Sequence, residues 1–386
     1  MKSRSDDDLL RALKVNGYFD FNATTPMFPE AISALTRACE RRWQNPSSLY
    51  LEAGETSQLL EDARSQLADL LGVDEPERII FTSGATESNN IVFRHHAEDK
   101  AVISAIEHPS VREPAGDSTI APVDDQGRVD LESLANLISK DRPKLVSIMA
   151  ANNETGVIQP WSEARALAED ASARFHCDAV QLIGKGEIDD LGECDWVTGS
   201  AHKFGGPKGV GFLVLPEDLE KITGASIGGP QESGLRAGTE NYPGIASMLA
   251  ALERAQQLLA GSVAIGTARD DFEGRIVEKI PGSKVCGRNA ERLWNTSMLV
   301  LPTHRNTKWL NRLSRRDFQV STGSACSSGK GNPSHVMQAM GLDFDEMGRV
   351  LRISGGWETT ETAWQALGDA LIEIHEELNK KARPSA

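Results

Sequence analysis

Short apolar runs of strand length alternate along the chain with longer stretches of helical period, and this alternation constrains the fold more than any other feature. Residues 78–82 (RIIFT), 101–104 (AVIS), 145–149 (LVSIM) and 209–215 (GVGFLVL) read as strands. Between them Ile32, Leu35, Cys39 and Trp43 fall at steps of 3, 4 and 4, and residues 161–174 (WSEARALAEDASAR) are rich in helix formers. Apolar strands joined by crossover helices predict a mostly parallel α/β sheet. From Pro243 the texture changes. Residues 243–260 (PGIASMLAALERAQQLLA) predict a long helix and 296–301 (TSMLVL) a strand; Trp364, Leu367, Leu371, Ile374 and Leu378, at steps of 3, 4, 3 and 4, predict a last amphipathic helix. The expected organisation is an N-terminal extension over 1–18, a large domain over 19–250 and a smaller C-terminal domain over 251–386, against which the extension is a candidate to pack.

The 386 residues carry 41 Lys+Arg and 56 Asp+Glu, a net charge of −15, which argues against a nucleic-acid-coating protein. No window approaches the roughly 18 to 20 uninterrupted apolar residues of a membrane span, and no signal-peptide-length apolar run follows MKSRSDDDLLRAL at the start. A cytoplasmic protein without a membrane partner is expected. Cys39, Cys177, Cys194, Cys286 and Cys326 are odd in number, scattered and never arranged as C-x-x-C, which fits a reducing compartment and no metal site. Cys39, on an apolar helix face, and Cys177, Cys194 and Cys286, beside predicted strands, read as buried and inert. Cys326 differs: it lies in 320–335 (VSTGSACSSGKGNPSH), where Gly323, Gly329 and Gly331 free the backbone and small neighbours leave a thiol open.

Residues 81–90 (FTSGATESNN) follow a predicted strand and open a predicted helix, so the turn offers backbone N–H groups and a positive dipole end to a phosphate. An ordinary strand-turn-helix junction looks the same. Asp178, in 175–181 (FHCDAVQ), sits among apolar residues as if at the end of a buried strand, and buried carboxylates need a cationic partner. Lys203, in 200–211 (SAHKFGGPKGVG), follows a strand and precedes a Gly-rich turn, placed to reach into a cleft. The two form either a plain ion pair or, with the phosphate turn, the equipment of a pyridoxal phosphate site: an acid for a ring nitrogen and a lysine for a Schiff base.

With these segments in hand the chain resembles the class V, fold-type I pyridoxal phosphate enzymes, and within them the cysteine desulfurases. The blocks FDFNATTP (19–26), NPSS (45–48), SGATESN (83–89), Glu107-His108, NNETG (152–156), DAVQ (178–181), SAHK (200–203), RAGTEN (236–241) and GSACSS (323–328) agree with that family in order, over about residues 19 to 360. The resemblance implies a large domain with a mostly parallel seven-stranded sheet flanked by helices, a smaller α+β C-terminal domain, and pyridoxal 5'-phosphate as cofactor. It implies that Lys203 holds the cofactor and moves the substrate α-proton, that Asp178 keeps the pyridinium nitrogen protonated and that His108 stacks on the ring. Gln181 and Asn153 would bond the ring hydroxyl or the substrate side, and Thr86, Ser200 and His202 the phosphate, with Ala85 also among the cofactor-binding residues. Arg352, in VLRISG (350–355), would grip the substrate carboxylate through two parallel hydrogen bonds, a structural salt bridge being the alternative. Thr239 would reach the phosphate of a partner subunit, which would make the protein a homodimer. Cys326 would take sulfur from L-cysteine as a persulfide, leaving L-alanine, and pass it to a protein acceptor such as an iron–sulfur scaffold or a thiolation enzyme.

Two stretches depart from the family. Residues 304–318 (HRNTKWLNRLSRRDF) are basic, with Arg305, Lys308, Arg312, Arg315 and Arg316, and read as a solvated helix face or a docking patch for an acidic acceptor. Gly355-Gly356-Trp357 stands where a Gly-Arg pair is expected, which touches the expected shape of the substrate pocket. The rival readings are a selenocysteine lyase or aminotransferase-like enzyme on the same scaffold, and a catalytically silent interaction scaffold.

Overall fold

The computed structural model describes residues 17–218, 222, 225–323 and 334–380; Cys326 lies outside the described residues. Seven strands make the main sheet: β1 (Ile79–Thr82), β2 (Ala101–Ser104), β3 (Thr119–Ala121), β4 (Leu145–Ser147), β5 (Arg174–Asp178), β6 (Trp196–Ser200) and β7 (Gly211–Val214). Their spatial order is β1-β7-β6-β5-β4-β2-β3. Strands β2 to β6 pair in parallel, while β7 runs antiparallel between β1 and β6. Strands β1, β2, β4, β6 and β7 are buried at every residue, the signature of a sheet covered on both faces.

The covering helices are α1 (Pro29–Arg41), α2 (Leu51–Leu71), α3 (Ala85–His95), α4 (Pro109–Ala115), α5 (Leu131–Asp141), α6 (Trp161–Asp170) and α7 (Tyr242–Leu258). Helix α1 corrects the sequence reading. It stops at Arg41, and its buried face is Ala31, Ala34 and Ala38, which pack on α7; Ser247 Oγ of α7 donates to the Ala31 carbonyl at 2.8 Å. Small residues bring the two helices together. The bulkier series is not the packing face: Ile32 and Leu35 are half-buried, Cys39 is exposed, not buried, and Trp43, beyond the helix end, is 70% exposed. The other three cysteines considered inert are buried, and burial pushes the Cys286 thiol up to about 12.

A second, antiparallel sheet follows, of β8 (Lys284–Val285), β9 (Thr296–Val300) and β10 (Val350–Ser354) in the order β10-β9-β8. Helices α8 (Ser262–Lys279), α9 (Asn306–Ser314) and α12 (Glu361–Lys380) close over it with Phe272, Ile276, Leu299, Trp309, Leu351 and Trp364. Two short helices, α10 (His335–Ala339) and α11 (Phe344–Met347), precede β10. Phe19 belongs to this second core, edge-on to Trp364 at 4.9 Å, and its backbone bonds Gln319 and Ser354. The chain then crosses from one core to the other within the FDFNATTP block, and so delivers Asn22 to the boundary between them. No helix among the described residues is long and apolar enough to cross a membrane.

Candidate active site

In an open α/β sheet the C-terminal ends of the parallel strands face one crevice, because every crossover leaves from that edge. Asp178 ends β5, Ser200 ends β6 and Lys203 closes the single turn Ala201–Lys203 that follows. His108 lies in the loop after β2, Asn153 in the loop after β4, and α3 begins just after β1. Arg352 comes from the second sheet, in the middle of β10. Every expected site residue except Cys326 and Thr239 lines a single cleft of ≈ 790 Å³, the size of a small-molecule site. Thr239 is exposed and outside it.

At one end of the cleft Lys203 Nζ donates to the backbone carbonyls of Asn22 at 2.6 Å and Ala23 at 2.9 Å. Asp178 accepts from Asn89 Nδ2 at 2.8 Å and from the Val180 N–H at 3.2 Å. Asn89 Nδ2 also donates to Ser110 Oγ at 2.9 Å, and that oxygen meets His108 Nδ1 at 2.8 Å. His108 thereby caps α4 through the Ser110 N–H. Burial holds its imidazole below the ordinary histidine value, and the Lys203 charge acts in the same direction while Asp178 opposes it; a neutral, flat ring stands beside the acid.

At the other end Gly84 caps α3 with φ of +145°, a conformation that side chains avoid, and a Cβ there would stand 3.6 Å from Ser200 Oγ. The cap has no side-chain bond, and the Ala85 and Thr86 N–H groups, in the first turn, have no intrahelical acceptor. His202 is the neighbouring polar group, its Nδ1 3.1 Å from Thr24 Oγ1. Burial, with Lys203, Lys208 and Lys185 adding to it, takes its imidazole down to about 4. A helix N-terminus and the Ser200 hydroxyl, in a cleft that Lys208 also lines, suit a phosphate. With an amine and a buried carboxylate at the far end, the donor set fits pyridoxal phosphate.

Arg352 forms the third side. It is 2% exposed, its Nη2 pairs with Asp20 at 2.7 Å and its Nη1 donates to the Asn153 carbonyl at 3.2 Å. The salt-bridge alternative is thus partly realised, yet Nε remains buried without a partner, a donor that a substrate carboxylate can satisfy.

Two residues of this site carry no role in the sequence reading. Asn22, 1% exposed, accepts from both Lys203 and, at 3.1 Å, Gln181 Nε2 through its carbonyl, while its side chain donates to the Asn153 carbonyl and Thr296 Oγ1. Lys185, one helical turn beyond Gln181, is buried and donates to Gln181 Oε1 at 2.6 Å; burial, reinforced by Lys203 and Arg352, holds its amine well below the usual lysine value. Gly355, Gly356 and Trp357 do not line the cleft. A Cβ at Gly356 would meet the Phe21 ring at 2.0 Å, and Trp357 packs on Phe28 and Trp294, so this departure from the family serves packing behind the site.

The aminotransferase class-V family model matches residues 17–367. The chain belongs to this family of pyridoxal phosphate enzymes. Within it the similar proteins are cysteine desulfurases: one from Cereibacter sphaeroides is 37% identical over 377 residues, covering 94% of this chain and 96% of its own. The cysteine desulfurase IscS of Dictyoglomus turgidum is 37% identical over 382 residues, covering 95% and 96%. Among solved structures, a NifS-like protein from Rickettsia africae superposes with a TM-score of 0.85 at 32% identity, covering 93% of this chain and 99% of its own.

Proposed function

We propose that this chain is a homodimeric cysteine desulfurase of the cytoplasm, which converts L-cysteine to L-alanine and hands the sulfur from Cys326 to a protein acceptor. The observation that carries this reading is the meeting, in one cleft, of a lysine, a buried carboxylate held by Asn89, a bare helix N-terminus and a buried arginine.

When bound, pyridoxal phosphate supplies an electron sink for the pair left when the substrate's α-proton departs. The residues of the chain do the rest. Arg352 orients the substrate by its carboxylate, through the unpartnered Nε edge. Lys203, held toward the Asn22 carbonyl, takes the proton at Cα. Asp178, fixed by Asn89, would hold the cofactor's ring nitrogen in its protonated form, and His108 would line the cofactor's place in the cleft. The Cys326 thiolate attacks the substrate sulfur; a sulfur–sulfur bond forms, the carbon–sulfur bond breaks with its pair left on carbon, and protonation of that carbon leads to alanine.

The dimer is supported by Trp43, Leu49, Tyr50 and Leu51, large apolar side chains exposed within nine consecutive residues, and by Thr239 lying outside its own cleft. Such a patch calls for a covering surface. The basic segment is partly answered within the chain: Arg312 and Arg316 face Glu373 and Glu377 of α12, and Arg305 lies over the Phe344 ring. That pattern is a solvated, salt-bridged helix pair. Alanine and sulfide measured from L-cysteine with a reductant test the reading: release of both supports it, and release of neither by cofactor-loaded protein refutes it.

A further inference from the structure

Glu154 is 2% exposed, in the wall of the cleft that also holds Arg352. A carboxylate taken out of water needs donors, and burial keeps this one above the usual carboxylate range, with the Ser334 hydroxyl and Arg352 pulling the other way. Its Oε2 accepts the Ser334 hydroxyl at 2.7 Å. The same Ser334 oxygen accepts the Met337 N–H and caps α10. Ser334 is the first described residue after 324–333, the stretch that contains Cys326. The last described residue before it, Gly323, stands against the same carboxylate oxygen: a Cβ there would lie 3.0 Å from Glu154 Oε2, and its φ of +100° is one that side chains rarely adopt.

The Gly323 end and the Glu154 turn are each anchored beyond this contact. Two residues before Gly323, Ser321 exchanges backbone hydrogen bonds with Arg352 at 3.0 and 2.8 Å. The turn carrying Glu154 is fixed in its own right, since Asn152 Oδ1 accepts the Glu154 and Thr155 N–H groups at 2.9 and 3.0 Å. One carboxylate oxygen thus binds the residue that follows the Cys326 segment and stands close to the residue that precedes it.

We propose that Glu154 is a positioning residue for sulfur transfer: bound to Ser334 and closely approached by Gly323 at the wall that carries Arg352, it fixes the residues that flank the Cys326 segment. The inference rests on the reading that Cys326 receives the sulfur. An apolar residue would fill this place without the cost of a buried charge, whereas only an acceptor can bind the Ser334 hydroxyl.

The test uses the cofactor-loaded enzyme and reads three quantities: kcat for alanine formation, KM for L-cysteine, and the rate at which iodoacetamide alkylates Cys326, followed by peptide mass spectrometry. Glu154→Ala is expected to lower kcat by about 10- to 100-fold, the effect of a misplaced reacting group, with KM little changed and the alkylation rate altered. Glu154→Gln, which still accepts the Ser334 hydroxyl, should recover most of the rate. Ser334→Ala should reproduce the loss, and it decides the matter if Glu154→Ala does not fold. Wild-type kcat and alkylation in both alanine variants would overturn the proposal; so would loss of kcat, KM and cofactor retention together in Glu154→Gln. Cys326→Ser run alongside separates the two ideas: if that variant still makes alanine, the sulfur reading fails, while the alkylation rates still decide whether Glu154 holds the segment.

Discussion

Lys203 Nζ donates to the backbone carbonyl of Asn22 at 2.6 Å, across 181 positions of sequence. Gln181 Nε2 shares that carbonyl at 3.1 Å, so the amine and the amide are oriented by one atom that no side-chain substitution removes. Lys203→Ala is expected to abolish the visible absorbance of the bound cofactor and the trapping of cofactor by borohydride. Trapping on any other lysine would contradict the assignment.

Arg352 offers its buried Nε to the substrate while Asp20 holds Nη2 at 2.7 Å. Arg352→Ala should weaken kcat/KM for L-cysteine by about 2–5 kcal/mol, because a carboxylate would enter a desolvated site without its partner. Arg352→Lys should recover only part of this, since one ammonium cannot reproduce the planar guanidinium that serves Asp20, Asn153 and the substrate at once. Steady-state kinetics with L-cysteine check both values.

Much of this site is legible in the sequence, and the rest is not, for identifiable reasons. Asp178 and Lys203 announce themselves because each ends or follows a strand, and strand ends in a parallel sheet share one edge. The role of Asn22 is invisible, because it acts through its carbonyl on partners 159 and 181 positions away, and a carbonyl has no sequence signature. The antiparallel turn of β7 and the two- and three-residue strands β8 and β3 escape for a related reason: strand direction is a tertiary property and such runs are too short to show a period. The α1 face misleads since its apolar series, including Cys39, is not the face of alanines that packs.

Glu107 gives the stability a pH dependence of known sign. Its carboxyl is wholly buried, accepts the Ser104 hydroxyl at 2.5 Å and the Met149 N–H at 2.8 Å, and burial raises it to about 8. Between the ordinary carboxylate value and about 8 the folded chain keeps a proton that the unfolded chain has lost, so stability falls as pH rises through that window. Glu107→Gln removes the dependence and keeps the acceptor. The wild type should lose on the order of a few kcal/mol relative to this variant from pH 5 to 8, as read by urea unfolding; a difference that does not change with pH would contradict the burial argument.

Trp43, Leu49 and Leu51 are 70%, 103% and 76% exposed, too much apolar surface in one stretch for an isolated chain. Sedimentation should give a dimer, and Leu49→Asp with Leu51→Asp should shift it toward monomer and lower cofactor retention if Thr239 serves the partner's site. An active, cofactor-loaded wild-type monomer would refute the dimer.

The account rests on sulfur passing through Cys326, and one comparison tests that most directly: alanine production from L-cysteine by Cys326→Ser and by the wild type, with mass spectrometry of the wild-type thiols after turnover. Serine keeps the size and leaves Lys203, Asp178 and Arg352 in place, so cofactor binding should be unchanged. The account predicts an extra sulfur on Cys326 of the wild type and at least about a 100-fold fall in alanine formation in the variant, the scale of removing a covalent nucleophile. Alanine formed by Cys326→Ser at near the wild-type rate, or the extra sulfur on the exposed Cys39, would contradict it.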